Sequence, residues 1–302
     1  MIVSNPAKPK FRHKRRAEIS ELDIDAGSFH LALSKRTYIM GVLNVTPDSF
    51  SERGKFFDGT RAIGHAHSMI RDGADIIDVG GESTRPGASS VDVEDELARV
   101  IPVIKEVARQ RKVPISIDTR KSEVAEEAIK AGASIINDVS GLRHDTKMAS
   151  VAARHDVALI VMHMKGTPHD MQINPTYKDL IKEILESLKE SIMAAKKAGL
   201  KEKRLIVDPG IGFGKTVGHN LEILNRLAEF KILGRPICIG LSRKAFIGKV
   251  LGLDDPADRL SGTLGASAVA ITKGANILRV HDVREALQVA RIADSISSEK
   301  II

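Results

Sequence analysis

The chain has 302 residues, 42% apolar and 28% charged, enough to close a large core as one domain, and a single cysteine, Cys238, which excludes an internal disulfide. The longest strand-like apolar run, residues 157–162, is far below the ~20 residues a membrane span needs. The formal charge of +7 points toward an acidic partner such as nucleic acid, but six of the 46 basic residues fall in residues 1–16, which hold no acid, so the remaining 40 face 39 acids. The body is near neutral, and the expectation is a cytoplasmic, unsecreted protein that engages neither nucleic acid nor membrane.

Residues 1–17 read as a flexible basic tail and residues 18–302 as a single domain. Residues 18–36 are expected to form an extra element over one end of the fold. The first strand, residues 38–43, ends abruptly in Asn44-Val45-Thr46-Pro47-Asp48-Ser49-Phe50-Ser51, a polar cluster that would be expensive to bury unpaired and so faces a ligand. Further strands are read at residues 76–77, 114–117, 135–136, 157–162, 205–207, 237–241 and 277–278. Three of them share a repeated lead-in: Gly73-Ala74-Asp75-Ile76-Ile77, Gly132-Ala133-Ser134-Ile135-Ile136 and Gly274-Ala275-Asn276-Ile277-Leu278. Before the second, Val124, Ala125, Ala128 and Ile129 share one helical face, and Gly132 is placed to end that helix in a left-handed conformation. The unit is helix, glycine, short buried strand. Gaps of 15 residues or more between strands are crossover length, so the sheet is parallel and covered by helices. Eight such units give an α/β fold, a (β/α)8 TIM barrel with an N-terminal extension, with a doubly wound open sheet as the alternative.

In a barrel the site lies at the C-terminal strand ends. Here these are Asn44; Asp78 followed by Gly80-Gly81-Glu82-Ser83-Thr84-Arg85-Pro86-Gly87; Asp118; Asn137-Asp138; His163; Asp208; Ser242-Arg243-Lys244; and Arg279 with His281. An Asp after a strand often caps the next helix, but eight polar ends in succession exceed capping. Ser83, Thr84 and Arg85 in a glycine-rich turn, with Arg279 and His281 at the barrel's usual phosphate end, point to an oxyanion. Asp118 and Asp208 with Asn137 suit a heterocycle rich in N–H donors, the competing reading being paired acids for hydrolysis. The glycines of Pro209-Gly210-Ile211-Gly212-Phe213-Gly214-Lys215 would let the backbone and Phe213 approach a flat ligand. His65, His67, His163 and His169 show no metal-site spacing, whereas Mg²⁺ held mainly by substrate phosphate, with Asn44 as ligand, fits the pattern.

Taken together, residues 37–293 closely resemble the dihydropteroate synthase family of pterin-binding barrel enzymes. The likeness is carried by residues 43–51, by Gly81-Glu82-Ser83-Thr84-Arg85-Pro86-Gly87, Ser116-Ile117-Asp118, Asn137-Asp138-Val139-Ser140-Gly141 and Met162-His163-Met164. It continues through residues 208–215, Gly240-Leu241-Ser242-Arg243-Lys244 and Arg279-Val280-His281-Asp282. The resemblance implies a transferase of folate synthesis, a sulfonamide target, that joins 4-aminobenzoate to 6-hydroxymethyl-7,8-dihydropterin diphosphate and releases diphosphate. It further implies that Asp118, Asn137 and Asp208 bind the pterin edge while Met162, Phe213, Lys244 and Arg279 shape its pocket. Ser83, Thr84, Arg279 and His281 would grip diphosphate, and Phe50, Arg85, Pro86 and Ser242 would meet the aminobenzoate. Asn44 would hold Mg²⁺, and a homodimer is implied.

Diphosphate departure leaves positive charge on a carbon conjugated to the pterin, so an SN1-like transfer is expected, with Mg²⁺ and Arg279 steadying the leaving group and Asp118 the cation. Pterin-binding methyltransferases share the barrel and the acids, but the Thr84-Arg85-Pro86-Gly87 and Ser242-Arg243-Lys244 segments favour the synthase. A non-catalytic pterin-binding paralogue is the other alternative. Where the family usually has Asp-Gly-Gly after Ser51, this chain has Glu52-Arg53-Gly54, so the first loop departs from the pattern.

Overall fold

The computed structural model describes residues 22–46, 59–85, 87–110 and 112–302. The basic tail, the first loop with Phe50, Glu52 and Arg53, and Pro86 lie outside the described residues. Eight parallel strands form the barrel wall: β3 (Tyr38–Asn44), β4 (Ile76–Gly80), β5 (Ile115–Asp118), β6 (Ile135–Asp138), β7 (Ala158–Met162), β8 (Leu205–Asp208), β9 (Cys238–Gly240) and β10 (Ile277–Val280). Neighbours run in the order β8-β7-β6-β5-β4-β3-β10-β9, and a parallel bridge between Val207 and Ile237 joins the last pair, where Val207 N–H donates to the Pro236 carbonyl at 3.0 Å. The open-sheet alternative is thereby set aside.

The helices between the strands are α1 (Gly59–Arg71), α2 (Val93–Arg109), α3 (Ser122–Ala131), α4 (Met148–His155), α5 (Leu180–Lys197), α6 (Val217–Asn225), α7 (Ala245–Leu251), α8 (Leu260–Thr272) and α9 (Val283–Ser298). Most lay an apolar stripe on the outer face of the wall, whereas α8 buries Thr263 and Ser267 beside Ala270 and Ile271. In α3, Val124, Ala125 and Ala128 are buried as their spacing requires, while Ile129 is partly buried against the same core. The repeat glycines Gly73, Gly132 and Gly274 adopt φ of 99°, 122° and 107°, positive but wider than the left-handed helical value expected for Gly132. Space is a second reason for glycine: a Cβ on Gly132 would lie 2.6 Å from the Ala108 Cβ. The helix-glycine-strand unit thus has a physical cause at each repeat.

Strand periodicity sorts the barrel interior into layers. Met40, Ile76, Ile135, Ala158, Ile160, Ile206, Cys238 and Ile277 pack inside the barrel as one apolar cluster. Below it lies an antiparallel hairpin, β1 (Ile24–Ala26) and β2 (Phe29–Leu31), whose Ile24, Ala26 and Leu31 join Leu33 in the same cluster. This hairpin is the extra element expected over the barrel bottom. One step up, two residues beyond a floor residue on each strand, stand Asp78, Asn137, Met162, Asp208 and Arg279. This layer of candidate site residues is therefore set by strand register. No described helix is long and apolar enough to cross a membrane.

Candidate active site

At the centre of the upper layer, the guanidinium of Arg279 on β10 is shared by two carboxylates. Its Nε donates to Asp78 Oδ2 and its Nη2 to Asp118 Oδ2, both at 2.6 Å. Asn137 Nδ2 donates to the same Asp78 oxygen at 3.2 Å. Asp78 is wholly buried, and the second oxygens of Asp78 and Asp118 are buried without a hydrogen-bond partner among the described residues. Such oxygens are expensive to leave unmade and suit the N–H groups of a ligand. Burial pushes the Asp118 carboxyl up to about 7, against the pull of Arg279 and with the help of Asp78.

Across the barrel, Asp208 on β8 accepts from Gly210 N–H at 2.7 Å, and burial raises its carboxyl despite the opposing charge of Lys244. Lys244 extends over the Phe213 ring, its Nζ 4.6 Å from the centroid, and donates to the Ile211 carbonyl. Burial lowers its ammonium to about 8, Asp208 acting in the other direction. The Phe213–Lys244 pair beside Asp208, together with Met162 and Asn137 at the same level of β7 and β6, supplies the elements from which a slot for a flat ligand can be built.

The glycines of residues 209–215 serve a purpose other than ligand approach. A Cβ on Gly210 (φ 74°) would fall 1.9 Å from the His163 carbonyl oxygen, and one on Gly212 would crowd Lys244 Cδ at 3.2 Å. They bring the loop against β7 and make room for Lys244, a packing reason for glycine beside the expected approach of a ligand.

The rim carries the remaining candidates. Glu82 after β4 is engaged by Arg120 and Lys121, and Lys121 also reaches the buried Glu96; Arg99 Nη1 donates to the Gly81 carbonyl at 2.8 Å. Although burial raises Glu82, those cations hold its carboxyl below the usual range. This network anchors the turn that presents Ser83, Thr84 and the exposed Arg85. Ser242 Oγ pairs with His281 Nδ1 at 2.9 Å and accepts from His281 N–H at 3.2 Å, so these two are brought together. Desolvation and the charges of Arg279 and Arg85 lower the His281 ring's proton affinity. Asn44 closes β3, with Gly80 as its register partner on β4. Phe50 and Pro86 lie outside the described residues.

Three charged side chains emerge here with parts the sequence reading did not assign. Asp78, seen there only as a polar strand end, orients both Arg279 and Asn137; its inward register after Ile76 was the available signal. Lys215 is buried, its Nζ 2.9 Å from His163 Nδ1, and burial holds it well below the ordinary lysine range. Glu96 lies in the first turn of an amphipathic helix beside Glu94 and Asp95, where nothing in composition separates it from a solvated acid. Among the described residues, no group of three or more His, Cys, Asp or Glu side chains could hold a metal.

The sequence comparisons agree with this geometry. The profile of the pterin binding enzyme family matches residues 40–281. The dihydropteroate synthase of Bacillus subtilis is 49% identical over 265 residues, covering 88% of this chain and 90% of that protein. Among solved structures, the Clostridium difficile dihydropteroate synthase in the presence of pteroic acid superposes with a TM-score of 0.82 at 50% identity, covering 87% of this chain and 97% of that one. The Xanthomonas albilineans enzyme with 4-aminobenzoic acid gives 0.86 at 41% identity, covering 91% and 98%. With its closed barrel, its buried Asp78–Arg279–Asp118 centre and these relatives along most of its length, the chain belongs to the dihydropteroate synthases, transferases of the pterin-binding enzyme family.

Proposed function

We propose that this synthase joins 4-aminobenzoate to 6-hydroxymethyl-7,8-dihydropterin diphosphate in an SN1-like, Mg²⁺-assisted reaction. The observation that carries the reading is the pair of buried, unpartnered carboxylate oxygens on Asp78 and Asp118, beside Asn137 and opposite Asp208. The pterin edge donates to Asp118 and Asp208 and meets Asn137, while Met162, Phe213 and Lys244 form the walls. The C–O bond to diphosphate breaks with its electron pair leaving on oxygen. The arylamine lone pair then forms the C–N bond, and the amine proton passes to solvent. Arg279, His281, Ser83 and Thr84 receive the diphosphate charge, and the buried Asp118 carboxylate faces the cation that forms. Arg85 and Ser242, with Phe50 and Pro86, take the aminobenzoate side.

Mg²⁺ fits the donor set in the mode where substrate phosphate and water supply most oxygens: Asn44 offers an amide oxygen at the mouth of the barrel, beside β4. When bound, the ion would neutralise charge on the departing diphosphate. The test is to mix the purified chain with both substrates and Mg²⁺ and to assay dihydropteroate and released diphosphate. Absence of product across pH and magnesium concentration would overturn the reading.

A homodimer belongs to the same reading. Ile292 and Ile296 of α9 are 64% and 71% exposed, and with Leu264 and Ala268 of α8 they line an apolar groove of about 490 Å³. A second copy laid on this face would bury it. Sedimentation of the wild type as a dimer, and of an Ile292→Glu variant as a monomer, is the expected result.

A further inference from the structure

The loop after β8 has little regular structure, yet four successive carbonyls in it each accept from a different side chain. Lys244 donates to Ile211, Gln172 Nε2 to Gly212 at 2.6 Å, Lys215 Nζ to Phe213 at 3.0 Å, and the Tyr177 hydroxyl to Gly214 at 2.8 Å. The amide side is tied as well: Gly212 N–H donates to Asn220 Oδ1 at 2.7 Å and Phe213 N–H to the Gly210 carbonyl at 3.1 Å. A frame of this kind leaves the Phe213 backbone little freedom.

Lys215 stands apart within the frame. Gln172 is exposed and Tyr177 half-buried, but Lys215 is only 3% exposed, and among the described residues it forms no ion pair with a carboxylate. Its Nζ lies within hydrogen-bond reach of three neutral acceptors, the Phe213 carbonyl, His163 Nδ1 at 2.9 Å and the His163 carbonyl at 3.4 Å. His163 directly follows Met162 at the end of β7. Lys215 therefore ties the end of β7 to the backbone of Phe213, the two walls of the slot. Burying an ammonium is costly, and an unbranched apolar side chain would fill the same space without that cost. What the Nζ adds is a fixed distance between the walls.

We infer that Lys215 is a positioning residue for the pterin half of the site, holding Phe213 in register with Met162 without itself touching substrate. The inference rests on the reading of that slot as the pterin pocket. Its consequence is selective. The aminobenzoate side, for which Arg85 and Ser242 are proposed, makes no hydrogen bond to Lys215 and is left as it was.

The experiment compares wild type with Lys215→Met, which keeps length and loses all three donors, and with Tyr177→Phe, which removes the neighbouring tie to Gly214. KM and kcat are measured for both substrates, together with calorimetric affinity for 6-hydroxymethylpterin, which lacks the diphosphate. Misplacing a wall should weaken pterin binding and raise the pterin diphosphate KM by about tenfold in Lys215→Met, with the 4-aminobenzoate KM within about twofold. Tyr177→Phe should move the same constant in the same direction by less. Should Lys215→Met not fold, Lys215→Gln, which keeps an amide donor for the Phe213 carbonyl, is expected to show the same selective rise. Pterin affinity unchanged in folded variants, or both KM values rising together, would overturn the inference while leaving the pocket reading intact. A wild-type protein that binds no pterin would overturn both.

Discussion

Replacing Arg279 by Ala removes the single guanidinium that two buried carboxylates share. Asp78 is wholly buried and the Asp118 side chain 7% exposed, and each accepts from Arg279 at 2.6 Å. Leaving a buried charge without its partner costs about 3–5 kcal/mol, and water entering the vacated space argues for the lower end, about 3 kcal/mol. For a chain of this size each kcal/mol moves the midpoint by roughly 2–4 °C, so a drop of about 6–12 °C is expected at pH ~8. The pH dependence carries the sharper test. Without Arg279 the folded-state pKa of Asp118 rises further above the unfolded value of about 3.9, so the folded state holds a proton that the unfolded state has lost. The penalty is therefore absent at acid pH and accrues as pH rises toward the folded pKa. In the wild type Asp118, already raised to about 7, contributes with the same sign, so the difference between the two proteins is the quantity to follow. Scanning calorimetry of both across pH ~6 to ~9 should show a gap that widens as pH rises above about 7, and adding Asp78→Asn to the variant should narrow it. A gap that is constant, or that closes toward pH ~8, would refute the account of Arg279 as the counterion of this centre. Turnover should fall by about 10²–10³-fold as a leaving-group contact is lost.

Other outcomes follow from individual groups. Lys244 titrates near about 8, charged below that value and neutral above it, so affinity for the anionic pterin diphosphate should weaken as pH rises through it; a flat KM profile there would remove its charge from the binding role. Gly210→Ala would press a Cβ against the His163 carbonyl at 1.9 Å with φ at 74°, and should cost about 3 kcal/mol or more in urea unfolding; wild-type stability would show that the loop has another seat. Cys238 is 1% exposed and burial raises its thiol well above the usual range, so a thiol reagent should label the protein only after denaturation; labelling of the native protein would contradict the packed floor.

The barrel was legible because its signal is repeated. Glycine before Ile-Ile or Ile-Leu marks a helix stop and a buried strand three times, and strand gaps long enough for crossovers do the rest. Asp118, Asn137 and Asp208 could be proposed because each ends a strand, where a (β/α)8 barrel gathers its chemistry. Their mutual contacts were not legible. That Asp78 and Asp118 share one guanidinium depends on β10 closing beside β3 and on inward register at each strand, neither of which a linear pattern contains. The glycines of residues 210–214 were legible only in part for a related reason: glycine says that something comes close, and only the packing adds the His163 carbonyl and the Lys244 stem. Likewise Ser242 and His281, separated by 39 residues, become partners only when β9 and β10 lie side by side.

The hairpin beneath the barrel sets an order of assembly. Ile24, Ala26, Leu31 and Leu33 pack against residues drawn from strands as late as Ile277, and the Leu33 carbonyl accepts from Asn276 Nδ2 at 3.2 Å. Asp25 is held from the other side, its carboxylate by Lys203 at 2.8 Å and its carbonyl by Arg204. The ribosome therefore releases the floor long before the walls that give it a place. Until the last strand docks, those apolar side chains have no berth of their own, and the closing contact spans most of the chain, the kind that slows folding and leaves apolar surface open to misassembly. A nascent chain halted before β10 should accordingly hold its hairpin open to proteases, and completion of that strand should protect it.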